Sequence, residues 1–300
     1  MKTGRLARGW QIAKSSWNVL KLDKELALIP LMSSVATIFI VAGLYAITIA
    51  GLSKASQLDL NYNGLPSYTA SPWVNIAIGV VIYFVITLVA NFFSAAIIYG
   101  ATQRFNGIDP TVKSSLNGAR RKFYPLAGFS LLMSTVGLAL QTIENRLPFG
   151  GAVVVWLVNA AWSTANIFAV PVIVLSEGSV HPFEATKQSV QIIKKIWGES
   201  VVANIGISLI GLLSVVGYSS LAVVIVVASA AAHLPIALTA TLGVLAVMGL
   251  IAITVILAAL GAIAKAALYH YAVTGAAPQM FDAELLRASI TYKKARKIFS

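Results

Sequence analysis

Six apolar runs dominate this chain, and each is long enough to cross a bilayer. They extend from Leu26 to Leu52, Trp73 to Thr102, Leu126 to Ile143, Ala152 to Leu175, Val201 to Ala230 and Ile236 to Tyr271. A membrane-crossing helix needs about 20 mainly apolar residues. It must be a helix, because hydrocarbon offers no partner to an unpaired backbone N–H or C=O. The last run is longer than a bilayer requires, so it tilts or projects into water. Charged residues make up only 11% of the 300 residues, against about 25% in soluble domains. A soluble core of this length has no need for so few charges.

The basic residues orient the runs. Of 22 Lys and Arg, 20 fall on one side of the alternating connections: residues 1–25, 103–125, 176–200 and 265 onward. The opposite side keeps only Lys54 and Arg146. By the positive-inside rule the basic side is cytoplasmic, and an even number of spans puts both termini there. The N-terminus does not read as a cleavable signal peptide. Its first apolar run is too long, and Arg5, Arg8, Lys14 and two Trp precede it.

Three short basic phrases return on that side, each just before an odd-numbered span: KSSWNVLK (Lys14 to Lys21), KSSLNGAR (Lys113 to Arg120) and KQSVQIIK (Lys187 to Lys194). Read as helices they are amphipathic. The first aligns Leu6, Trp10, Ala13, Trp17 and Leu20; the third aligns Phe183, Val190, Ile193 and Trp197. In register, Trp17 matches Leu116 and Val190, and Leu20 matches Ala119 and Ile193. The middle copy contains the helix-weakening Gly118 but starts well, with Asp109 as N-cap and Pro110 as first helical residue. Such helices lie in the headgroup layer, with Trp and Leu down and Lys outward. The span exits echo one another too: Tyr99 in AAIIYGATQRFNG aligns with Tyr269 in KAALYHYAVTG.

The expected fold is therefore all-α, a polytopic membrane protein with three repeats of an interfacial helix plus a transmembrane hairpin. Residues 1–300 read as one integral membrane domain. An interfacial helix occupies 1–25, and a six-span bundle occupies 26–273, with further interfacial helices near 110–123 and 182–197. A basic cytoplasmic tail occupies 274–300. In that tail, Asp282 reads as an N-cap with Phe281 and Leu286 as a hydrophobic staple.

Four stretches carry a family resemblance: SWNVLKLDKELALIP (Ser16 to Pro30), WSTANIFAVPVIVLSEG (Trp162 to Gly178), EATKQSVQIIKKIWGE (Glu184 to Glu199) and ALYHYAVTGAAPQMFD (Ala267 to Asp282). Together they resemble a prokaryotic six-span membrane family known only as a domain of unknown function, over nearly the whole chain. This sequence departs from that pattern at VLSEG, where a shorter acidic turn is expected, and at His270, where a basic residue is common. The resemblance implies the fold and a multi-pass location in the prokaryotic inner cell membrane. It implies no chemistry.

The residues themselves point away from catalysis. There is no Cys, and His181, His233 and His270 have no metal-ligand spacing. No phosphate loop, dinucleotide fingerprint or nucleophile elbow is present. Glu144 and Arg146 are placed to form an ion pair at a span end, and Glu177, Glu184 and Glu199 to balance nearby Lys. No catalytic residue, metal or cofactor is expected, and positive-inside bias accounts for the basic face without nucleic acid.

The polar residues within the spans fall in stripes, stepping by four and then three: Thr87, Asn91 and Ser94 in span two; Asn159, Ser163 and Asn166 in span four. Ser130, Ser134, Gly137 and Gln141 follow the same rhythm in span three, as do Asn204, Ser208 and Gly211 in span five. The tyrosine alignment places Gly261 where Asn91 sits. Such stripes are either helix glue or the wall of a polar cavity. No acid or base sits at mid-span, and Lys265 can snorkel to the inner surface. Pro30 and Pro171 near inner span ends either kink or end the helices.

Two functions follow. The first is a noncatalytic membrane scaffold or accessory subunit. Its basic face, formed by Lys14, Lys21, Lys113, Arg120, Lys187, Lys194 and Lys195, contacts anionic lipid, a protein complex or a second copy of the chain. The second is a small transporter, channel or lipid-handling protein using the stripes. Inverted transporter repeats alternate sides, whereas these three hairpins do not, which favours the first.

Overall fold

A computed structural model describes residues 5–54, 58–60, 66–68, 72–147, 149–195, 200–232, 235–278 and 280–281. The chain forms ten helices over these residues: α1 (Arg5–Leu22), α2 (Lys24–Lys54), α3 (Pro72–Phe105), α4 (Val112–Arg121), α5 (Phe123–Glu144), α6 (Phe149–Ala165), α7 (Ala169–Leu175), α8 (Pro182–Lys195), α9 (Ser200–Ala231) and α10 (Ile236–Thr274). Two three-residue strands, β1 (Leu58–Leu60) and β2 (Pro66–Tyr68), pair antiparallel between α2 and α3. Six helical segments are long and apolar enough to cross a membrane: α2, α3, α5, α6 with α7, α9 and α10. They coincide with the six apolar runs. At about 1.5 Å per residue the 39-residue α10 is about 58 Å long, well beyond the roughly 30 Å hydrocarbon layer. It ends where Gly275 adopts a left-handed conformation (φ 72°) and donates its N–H to the Tyr271 carbonyl.

Packing is uneven along the bundle. The buried core gathers where α1, α4, α7 and α8 meet the basic-side ends of the long helices: Leu26 and Ile29 of α2, Ala95 to Ile98 and Ala101 of α3, Phe129 of α5, Val172 and Ile173 of α7, and Ile263, Ala266 and Ala267 of α10. Many of these residues are alanines, which let backbones approach closely where no hydrophobic effect drives helix association. The far halves expose Phe39, Ile47, Trp156, Val224 and Ile236. Apolar side chains facing acyl chains need no protein cover. Spans two and six lie at the centre: α3 packs on α2, α4, α5, α7 and α10, while α10 also packs on α1, α2 and α9.

Three local expectations are corrected. Thr111, not Asp109, caps α4: its hydroxyl accepts from Ser114 N–H, and Ser114 returns the bond to Thr111 N–H. Asp109 is drawn away by an ion pair with Arg104, and the helix begins at Val112 rather than Pro110. Gly118, whatever it costs in helix propensity, fits the middle helix to the bundle, because the Tyr99 ring lies where a Cβ would stand. Span four is not one rod. It breaks at residues 166–168 between α6 and α7. Pro171 falls in the first turn of α7, where its missing N–H costs no helical bond, and α2 runs through Pro30 unbroken.

Candidate functional site

The helices preceding the odd spans have one feature in common: each buries the second serine position of its basic phrase completely. Ser16 of α1, Ser115 of α4 and Ser189 of α8 are all fully inaccessible. Ser189 Oγ accepts the Phe168 N–H at 3.0 Å, satisfying a backbone donor freed by the break in span four. Ser115 packs against Gly100 of α3 so closely that a Cβ there would overlap its hydroxyl and lie 2.7 Å from a Leu26 methyl. The helices dock in different places: α4 on α3, α8 mainly on α7, and α1 on α9 and α10.

The opposite faces carry the charges. Lys14, Lys21, Lys113, Arg120, Lys187 and Lys194 are all exposed. The Lys195 side chain, Trp197 and the tail beyond Phe281 lie outside the described residues. Lys21 sits 5.7 Å over the Trp17 ring, Lys187 stands 3.6 Å from Glu184, and Trp10 and Trp17 are themselves exposed. The side of α1 turned into the protein is Ile12, Ser16 and Val19, so the tryptophans are left facing outward. Lys122 does not share the exposed face. Its ammonium donates to the Ser176 and Gly178 carbonyls at 2.7 and 2.6 Å, closing the end of α7.

Carboxylates hold this layer rigid. Arg104 at the end of α3 donates through Nε to Asp23 Oδ2 at 2.6 Å and also pairs with Asp23 Oδ1 and Asp109. Asp23 sits between α1 and α2, so one guanidinium fixes both helices to the exit of span two. Glu25 Oε2 accepts the Val112 N–H at 2.8 Å, a cap on α4 supplied by α2. The sequence signal for this clamp is the charged LDKE junction followed, two spans later, by Arg104 and Asp109. The pair across Glu144 and Arg146 is absent; both side chains are exposed and no ion pair joins them.

The intramembrane polar residues divide. Asn91 Nδ2 donates to Ser130 Oγ at 2.9 Å, joining α3 to α5, and Asn166 Oδ1 accepts from Thr186 of α8 at 2.7 Å. Thr87 bonds only the Tyr83 carbonyl of its own helix. Asn159 and Ser163 are exposed and meet neither group, so the span-four stripe does not converge on the span-two stripe. The side chains of Asn204 and Ser208 lie outside the described residues. Ser94 faces elsewhere, into a cavity of about 540 Å³ between α2, α3, α9 and α10. Gly211, Gly261 and Lys265 line it as well. Among the described residues no three His, Asp or Glu gather as a metal site.

Long apolar helices with a buried core at one end and lipid-facing flanks at the other define a multi-pass helical membrane protein. Residues 73–279 match the sequence family described as "Family of unknown function (DUF6159)", and the chain belongs to that family. The match starts after the first span, so the Ser16 to Pro30 signature lies outside it. No curated protein and no solved structure matches the chain.

Proposed function

We propose that this protein is a noncatalytic membrane scaffold or accessory subunit whose basic face lies on the cytoplasmic side of a prokaryotic inner membrane and holds anionic lipid. The observation that carries this reading is the two-sidedness of α1, α4 and α8. Each turns a fully buried serine into the bundle while Lys14, Lys21, Lys113, Arg120, Lys187 and Lys194 stay exposed. The twenty-to-two division of Lys and Arg supports the orientation, with both termini inside. Each basic residue near an anionic surface contributes about 1 kcal/mol. Six such residues, with Trp10 and Trp17 as interfacial anchors, form a lipid-binding ring. The faces pointing away from the bilayer are left for a cytoplasmic complex or a second copy.

We read the architecture as three repeats of interfacial helix plus hairpin. Three features support this reading: α1, α4 and α8 each precede an odd span, each buries the matching serine, and each docks on helices of a preceding hairpin, with α1 closing onto the last. The bonds of Asn91 and Asn166 favour glue over a transport path for those two residues.

Native mass spectrometry tests the lipid claim. Replacing Lys187, Lys194 and Lys195 by Gln is expected to lower retained cardiolipin or phosphatidylglycerol while the protein stays folded and inserted. Equal retention in the triple variant would refute lipid binding by this face.

A further inference from the structure

A lysine within span six belongs to neither the basic face nor the Asp23–Arg104 clamp. Lys265 of α10 is half-buried and lines the 540 Å³ cavity between α2, α3, α9 and α10. Among the described residues it makes no hydrogen bond or ion pair, and none of those lining the cavity is a carboxylate. Ser33 of α2 and Ser94 of α3 line the same space, and neither hydroxyl has a partner there. An ammonium and two hydroxyls, five O–H and N–H donors in all, thus line one cavity with no anion among its described lining residues. An unpaired charge within a membrane protein is costly and marks a functional site by default. The other walls are apolar: Phe93, Ile97, Val255, Leu257 and Ala262. From Lys265 the cavity follows α10 outward to Thr254, eleven residues or about 16 Å along the helix. Its size falls in the roughly 300–1,000 Å³ range of small-ligand sites.

We infer that this cavity binds an anionic amphiphile, with a phosphate or carboxylate headgroup at Lys265, Ser33 and Ser94 and an alkyl chain along Phe93, Val255 and Leu257. The polarity matches that of an inner-leaflet lipid: headgroup toward the basic side, chain toward the bilayer centre. Gly261 keeps the space open. A Cβ there meets nothing within 4 Å, so a larger side chain enters the cavity without striking a neighbour. The site is separate from the basic face, and neither inference depends on the other.

The test uses the purified full chain in maltoside detergent with radiolabelled 1-oleoyl lysophosphatidate, read by scintillation proximity. Saturable binding is expected, with competition by unlabelled lysophosphatidate and none by neutral monoolein. Competition by oleate as well assigns the headgroup recognition to any single anion; its absence assigns it to phosphate. Lys265→Met should weaken binding about 10- to 100-fold, the loss of a charged hydrogen bond. Gly261→Leu should abolish it by filling the space, and it decides the matter alone if Lys265→Met does not fold. Lys187→Gln with Lys194→Gln should leave this binding intact, which separates the site from the basic face. The inference is overturned if wild-type binding does not saturate, if monoolein competes equally, or if either cavity variant binds like wild type.

Discussion

Asn91 of α3 reaches across to α5 and donates its amide N–H to Ser130 Oγ at 2.9 Å, while Ser130 donates in turn to the Leu126 carbonyl. This is a relay of polar groups in the packed half of the bundle, with Ser130 fully buried. Interhelical hydrogen bonds of this kind are worth about 0.6 kcal/mol on average and up to about 1.7 in membranes. Asn91→Leu and Ser130→Ala should each lower the melting temperature in detergent, and the double variant should show coupling of that size. Asn159→Leu should leave melting unchanged, since Asn159 is exposed. Equal loss for Asn91 and Asn159 variants would contradict the division of the stripes.

Close helix approach gives a second expectation. Gly118→Ala puts a methyl group into the Tyr99 ring, and Gly100→Ala puts one into Ser115 and Leu26. Overpacking of this type costs about 1–3 kcal/mol. Gly43→Ala of α2, with nothing within 4 Å, should be neutral or slightly stabilising because alanine favours helix. Thermal melts of the three variants check the order.

The Arg104 clamp should be asymmetric. The Asp23 side chain is 3% exposed and the Asp109 side chain 86%. Removing one partner of a buried pair costs about 3–5 kcal/mol. Asp23→Ala should approach the lower end of that range, because Arg104 itself is partly solvated. Asp109→Ala should cost no more than about 1 kcal/mol, as exposed pairs do. Comparable destabilisation by the two variants would rule out the clamp as described.

Span number and limits were legible from sequence because apolar length alone fixes them: the six runs and the six long helices coincide. The break in span four was legible only in part: Pro171 marked a kink or an end, since a proline cannot bond to the carbonyl four residues back and crowds it. What the sequence did not show is how the freed groups are satisfied, which is tertiary: Ser189 accepts the Phe168 N–H and Thr186 donates to Asn166. Periodicity placed Asn159, Ser163 and Asn166 on one face, but it cannot say which part of that face meets a neighbour. Only Asn166, next to the break, does. The α4 cap was misplaced for a similar reason: Asp109 has the right chemistry for an N-cap, yet Arg104 five residues earlier holds it. Lys265 read as a snorkelling cation because its cavity is assembled by four helices distant in sequence.

The proposed orientation puts α1, α4 and α8 together on the inner side of the membrane. Single cysteines replacing Lys14, Lys113, Lys187 and Ser67 in this cysteine-free chain, labelled with an impermeant thiol reagent on intact cells, test that directly. Labelling at residue 67 alone is the predicted result, with the other three reacting only after the cells are opened. Labelling of any of the three helix positions on intact cells, with residue 67 protected, would contradict it.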